Sequence, residues 1–331
     1  RIDFLGNTKG ALLLEPQRTN LTTYSEDFLN SSWIKIGGTA TLSNSISPDG
    51  TLNAYRFYAS SAAANTRLYS DITLSAATYT FSVYAKKNGT NDKFKFSITD
   101  SSGQILTPDF NLTDNWKRFE YTYTSSGGSG SWWVVNPSSA ELGSEFDVLI
   151  YGAQLEVGSY STSIIPTSGQ SGGVTRVGDN ITQTTPNLSN SQGVSAFIDI
   201  GARPLTGQNV TSDAIKFEFE SGNRIIYNQN GASKHRIEIN TDGAATRNYF
   251  STNSPSTTAI KIAIAVTQST IKIRTNKGDS WDTAITGVAD WSNINLVSTA
   301  IIQSIGNIKI NDLKFYNTAL TDSELQALTT I

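Results

Sequence analysis

The sequence predicts an all-β protein: two β-sandwich (jelly-roll) domains in tandem, closed by a short C-terminal helix. Three observations carry this. Runs dense in aromatic and β-branched residues recur roughly every ten to fifteen positions, the spacing of short antiparallel strands. Turn dipeptides such as Asp49-Gly50, Asn88-Gly89, Ser102-Gly103, Asn230-Gly231 and Asp242-Gly243 separate them. A helix-start signal stands only near the C-terminus, at Thr321-Asp322-Ser323-Glu324, where a Thr with Glu three residues on makes a capping box and predicts a helix to about Leu328.

The elements follow in order. Ala11–Leu14 is an apolar run stopped by Glu15-Pro16, a short buried strand placed in the first domain. Strands follow at Ala54–Tyr58, Tyr79–Tyr84, Phe94–Ile98 and Trp116–Tyr123. Phe94, Phe96 and Ile98 alternate with Lys93, Lys95 and Ser97, so one face of that strand is apolar and the other polar. Val148–Tyr151 opens the last strand of the first half, and the chain then runs into Gly, Ser and Thr. The expected boundaries are therefore residues 1–166 for the first sandwich, 167–189 for a connection and 190–331 for the second sandwich. The second series comprises Ala196–Ile200, Ile215–Glu220, Arg224–Tyr227, Arg236–Ile239, Ala259–Val266, Thr270–Arg274, Ile308–Ile310 and Leu313–Tyr316.

Composition narrows the chemistry. The 331 residues suffice for two domains with separate cores. Charged residues make up only 16%, so Ser, Thr and Asn carry the polarity, as on exposed sheet faces and loops. The net charge of −3 and the lack of a basic cluster argue against nucleic acid as a partner. No apolar run approaches the roughly 20 residues of a membrane-spanning helix, so no membrane insertion is expected. With no Cys and one His, His235, thiolate chemistry, disulfides and multi-His metal sites are excluded. Opening at Arg1 without Met or a signal peptide, the chain reads as a fragment or processed product.

Three passages carry a resemblance. They are Arg1–Phe4 with Leu12–Leu21 and Tyr24–Phe28; Tyr151–Gly158 running to Ile165-Pro166-Thr167-Ser168; and Leu313–Leu325. All three resemble phage structural proteins, including tail-fibre and receptor-binding modules, and the first two together look like the frame of a carbohydrate-binding-module-like jelly roll common in such proteins. The third is similar to the closing strand and helix of concanavalin A-like (laminin G-like) lectin domains. The resemblance implies a non-enzymatic virion structural protein, exposed on the virion surface and binding a host cell-surface glycan or other virion proteins. The fibre analogy adds a homo-oligomer, a trimer in the simplest case. Two other readings stand beside it: a glycan-degrading tailspike-type or secreted polysaccharidase, and an architectural capsid decoration or head fibre with no ligand.

Glycan recognition uses flat aromatic faces with amides and carboxylates around the hydroxyls. Trp132 and Trp133 are adjacent, so a strand points them to opposite faces, one for the core and one outward, after the Gly127-Gly128-Ser129-Gly130 loop. Trp33, Trp281 and Trp291 are further carbohydrate-binding candidates, the last two with Asp279, Asp282 and Asp290 nearby. Each indole has core packing as its alternative use. Structural calcium fits either sandwich, with Asn20, Asp147 and Glu156 as candidate ligands, although no EF-hand-like spacing occurs. Paired-acid catalysis finds only Glu218 and Glu220, two apart on one strand and so roughly 7 Å apart on one face. The Glu-x-Asp-x-x-Glu pattern of glycan-cleaving concanavalin-like sandwiches is absent, so no catalytic residue is expected.

Overall fold

The computed structural model describes residues 2–3, 11–167, 170, 173–183, 193–201, 215–218, 224–230, 234–240, 247–250, 258–267, 269–284, 300–303, 308–316 and 318–330. The chain divides into two compact units, Arg18–Arg176 and Arg1–Gln17 with Val177–Ile331. Both are β-sandwiches, as the strand spacing predicts.

The Arg18–Arg176 unit is organised by two 21-residue strands, Arg67–Lys87 and Lys117–Pro137, which pair antiparallel along nearly their whole length. Each serves two leaves. Their joint middle lies at Gly127 and Gly128, whose φ of +85° and +100° a side chain rarely adopts. The glycine run expected as a loop is thus a bend inside a continuous strand. On one side of it, Phe146–Val157, Tyr55–Ala59 and Thr39–Leu42 extend the sheet. On the other side, Lys93–Asp100 pairs with Ser131–Pro137, and Ile34–Ile36 with Arg67–Tyr69. The polar alternation of the long strands does the rest. Tyr79, Phe81, Val83 and Ala85 point into the core. On the other face Thr78 and Thr80 bond Thr124 and Thr122 across the ladder, each at 3.0 Å.

Aromatic rings fill this sandwich. Trp132 packs against Phe81 at 5.3 Å, Phe96 at 6.1 Å and Trp33 at 6.2 Å, all edge-on. Phe94 and Phe119 meet at 5.0 Å and 89°. The ends of the unit meet as well: Arg18 pairs with Arg176, and Asn20 with Val174.

The other unit includes the strand Ala11–Leu14, which the sequence places in the first sandwich. Leu12 and Leu14 instead pair with Ile310 and Ile308, and Leu14 is fully buried among Ile198, Ile200 and Ile262. The whole Arg18–Arg176 unit is therefore an insertion between the N-terminal strands and the rest of their sandwich. The expected 167–189 connection is partly sheet, too. Val174–Arg176 belongs to the inserted unit, Asn180–Gln183 pairs with Ala300–Gln303, and the Asp179 carboxylate accepts from the Glu15 amide at 2.9 Å.

In this discontinuous unit one sheet runs Ile2–Asp3, Ala11–Leu14, Ile308–Tyr316, Val194–Ile200, Ile260–Val266, Thr270–Thr275, Ser280–Ala284. A six-stranded sheet contributes Tyr227 and Ile237 to the same core. Alternation along Val194–Ile200 sends Ile198 and Ile200 inward and Phe197 to the opposite face, where Leu325 of the helix Asp322–Thr330 covers it with Ala263 and Ala265. The capping box forms: Thr321 N–H donates to Glu324 Oε2 at 2.8 Å, and Glu324 N–H donates to Thr321 Oγ1 at 3.4 Å.

Candidate functional site

Trp132 and Trp133 follow the pleat. Trp132 is completely buried, whereas Trp133 is half-buried on the outer face of the leaf formed by Lys93–Asp100 and the second half of Lys117–Pro137. Its neighbours on that face are set by register. Tyr69 lies opposite it on one side and Ser97 on the other. Tyr69 is 6.4 Å away and the Arg67 guanidinium stacks over the indole at 4.3 Å. The indole N–H donates to Ser131 Oγ at 3.0 Å, which fixes the ring's tilt.

A cavity of ≈ 230 Å³ opens beside the ring, lined by Lys95, Gln104, Leu106, Trp133, Asn136, Pro137, Ser139, Leu142 and Ala64. Arg67 and Tyr69 are not in that lining, so they brace the indole from one side and leave the side toward Lys95 open. A bulge completes the site. The pairing shifts between Trp133 and Asn136, so Val134 and Val135 both enter the core and Asn136 comes opposite Lys95. Asn136 is only 4% exposed, and its side chain forms part of the cavity wall. Gln104 is anchored by its amide nitrogen to Ser97 Oγ at 2.9 Å, which leaves its carbonyl oxygen for other use. Along the same face lies an open depression of ≈ 610 Å³ lined by Asp71, Thr73, Thr99, Ser129 and Ser131, among others. Gly130 lets the strand Lys93–Asp100 come close here: a Cβ there would come within 1.8 Å of the Thr99 carbonyl oxygen.

Next to Thr99 in the chain, Asp100 forms a carboxylate staple. Asp100 accepts from Ser102 N–H and Oγ–H, the Tyr123 hydroxyl, Ser125 Oγ–H and Ser126 N–H. Desolvation pushes this carboxyl up, but the hydrogen bonds from Ser102, Ser125 and Ser126 together outweigh it and hold it well below the carboxylate range.

The outer face of the other leaf offers less room, because loops occupy it. Tyr151 donates to Asp49 Oδ2 at 2.8 Å and Trp116 Nε1–H to the Ile46 carbonyl at 2.8 Å. Gln154 bonds Ile165, Thr162 and Ser163, while Glu156 accepts from Thr162. Burial followed by the Asp49 bond and the Glu26 charge pushes the Tyr151 hydroxyl far up. Burial also raises Glu26; its Tyr151 contact opposes this and the Asp49 charge adds to it. Burial and then Asp27 raise the Tyr55 hydroxyl to about 12. These shifts accompany structural contacts between sheet and loop.

The remaining sequence-predicted residues are placed as follows. Trp33 is 1% exposed and donates its indole N–H to the Tyr24 carbonyl, so it and Trp132 are core residues and offer no ring face to a ligand. Trp281 packs on the second unit's core, 5.8 Å from Tyr249. Trp291, Asp290 and Glu220 lie outside the described residues, as does the Glu218 side chain. The three calcium candidates are already held by protein groups. Asn20 bonds the Ala153 and Ile165 carbonyls and the Thr22 and Leu155 amides. Asp147 takes a two-point contact from Arg56 at 2.8 and 2.7 Å, plus Asn88. Glu156 holds Thr162. Among the described residues no group of three or more His, Cys, Asp or Glu gathers as a metal site.

Sequence reasoning named Trp133 but not Arg67, Tyr69, Lys95, Gln104 or Asn136. Period-two alternation on the flanking strands marks Lys95 as outward; the bulge hides Asn136, because it reverses the parity after Trp133.

Fold and face together define a β-sandwich protein with a half-buried indole beside a polar cleft. No protein-family model and no curated protein matches the chain. Among solved structures it is similar to the CBM22-1 xylan-binding domain of Paenibacillus barcinonensis Xyn10C, with 14% identity over 44% of this chain and 99% of that one and a TM-score of 0.35. The CBM22-1–CBM22-2 tandem of the same Xyn10C gives 11% identity over 96% and 95%, with a TM-score of 0.35. The LG1-3 region of the laminin α2 chain gives 10% identity over 78% and 66%, with a TM-score of 0.30. At such low identity and TM-score, what the cleft can do is decided by its own residues.

Proposed function

We propose that this chain is a non-enzymatic glycan-binding protein whose Trp133 cleft takes a sugar ring. The observation that carries the reading is the placing of a braced, half-buried indole and the Asn136 side chain around one small cavity. A sugar presents complementary surfaces: an apolar CH face for Trp133 and hydroxyls for Asn136 and the Gln104 carbonyl. The cleft lining holds no carboxylate, so the acid pair of glycoside hydrolysis has no members there. From Arg67 to Thr73 the outer face runs about 20 Å at the rise of a strand, which suits an oligosaccharide better than a single ring.

The biological setting belongs to the same proposal. The three passages that resemble phage fibre modules support display on a virion surface, attachment to a host-cell glycan and assembly with copies of itself and other virion proteins. A shallow cleft of this kind binds weakly alone, and copy number multiplies it. The test is multivalent display of the protein on a glycan array. Specific spots that vanish in Trp133→Ala are expected; no binding at high valency would sink the reading and leave a purely architectural role.

A further inference from the structure

Resting on that glycan reading, we infer that the Trp133 cleft selects a sugar bearing a carboxylate, such as a uronate or sialate residue, over its neutral counterpart. The charges around the ring point this way. Lys95 is the one ionisable group in the cavity lining, and its ammonium has no ion-pair or hydrogen-bond partner among the described residues. Arg67 adds a second cation on the far side of the indole, 4.3 Å from its centroid, where its Nε is buried without a hydrogen-bond partner.

No acid is in the cavity lining. Asp71, on the same face, lines the neighbouring depression instead. Glu141, just beyond Ser139, is outside the lining and turns its carboxylate to the Asp92 and Lys93 amides at 3.0 and 3.1 Å. Asp109 is held by Ser138 at 3.0 Å. A neutral sugar would leave the Lys95 ammonium in a partly desolvated cavity without a counter-charge, whereas a carboxylate makes a charge-assisted hydrogen bond to it. Asn136 adds a neutral N–H donor on the same side, opposite Lys95 in the ladder. One wall thus offers cationic and amide donors and the other a flat indole, the two requirements of a pyranose with a carboxylate on its rim.

Binding is measured on an array of uronate- and sialate-containing oligosaccharides printed beside the same compounds with their carboxyls reduced to alcohols. Wild-type protein should favour the carboxylated members by about tenfold, the worth of one hydrogen bond to a charged group. The preference should weaken as salt rises. Lys95→Gln should abolish the preference while still binding sugars, Lys95→Arg should retain it, and Trp133→Ala should lose both series. Equal binding of the two series by the wild type, or a preference unchanged in Lys95→Gln, overturns the inference while the glycan reading stands. Binding of neither series overturns the glycan reading itself.

Discussion

At Trp132 and Trp133 the pleat of one strand sends adjacent indoles to opposite sides of a leaf. The first touches Trp33, Phe81 and Phe96; the second touches Arg67, Tyr69 and a cavity. Replacing Trp132 by Ala should therefore cost about 3–5 kcal/mol in denaturant unfolding, while Trp133→Ala should leave stability nearly unchanged. Trp33→Ala should behave like Trp132→Ala. This division was legible in the sequence for the Trp132-Trp133 pair, because adjacency on a strand forces it. It was not legible for Trp33, whose polar neighbours in the chain say nothing of the rings that surround it in space. Asp100 supplies a pH signature on the same scale. Its carboxyl is held below the ordinary value of about 3.9, so the stability it confers is full above that value and is lost as pH falls toward the folded one. Asp100→Asn should lose about 1–3 kcal/mol at neutral pH by leaving donors unmet. Its unfolding free energy should also fall less steeply than that of the wild type as the solution is acidified below pH ~4.

At the scale of elements, the two long strands explain both the leaves and the site. A strand of 21 residues cannot serve two packed leaves without a bend, and Gly127 and Gly128 supply it with positive φ. Composition alone reads that run as a loop, since Gly and Ser clusters are the usual mark of one; only the pairing of Ser126 with Ala76 and Gly128 with Leu74 reveals strand on both sides. Gly130 has a different duty, the close approach of Lys93–Asp100. A Gly130→Ala variant should cost about 1–3 kcal/mol through overpacking, and amide hydrogen exchange should quicken along Lys93–Asp100, which pairs beside it. Protection unchanged in that strand would show that the approach is not tight. The bulge after Trp133 matters equally, because without the extra residue Val135 rather than Asn136 would share the face of Trp133.

For the whole molecule, two sandwiches were legible from strand spacing, and the closing helix from its capping box. Their connectivity was not. Ala11–Leu14 reads as apolar strand in either sandwich, and only its pairing with Ile308–Tyr316 assigns it to the unit built mainly from the C-terminal half. An inserted Arg18–Arg176 unit, whose ends pair with each other, should fold when produced alone. Removing residues 1–17 should instead destabilise the discontinuous unit, which loses Leu14 from its core. Limited proteolysis of the truncated chain checks this: cuts should concentrate after Val177, with Arg18–Arg176 surviving. The central claim concerns the face of that inserted unit. The most direct measurement is a titration of the isotope-labelled Arg18–Arg176 unit with array-selected oligosaccharide, followed by NMR at the indole N–H signals. The signal of Trp133 should shift on titration, while those of the buried Trp33 and Trp132 and of Trp116, which donates to Ile46, stay in place. Shifts confined to Trp116 and the loops over Tyr151, with Trp133 unmoved, would contradict the assignment of the cleft.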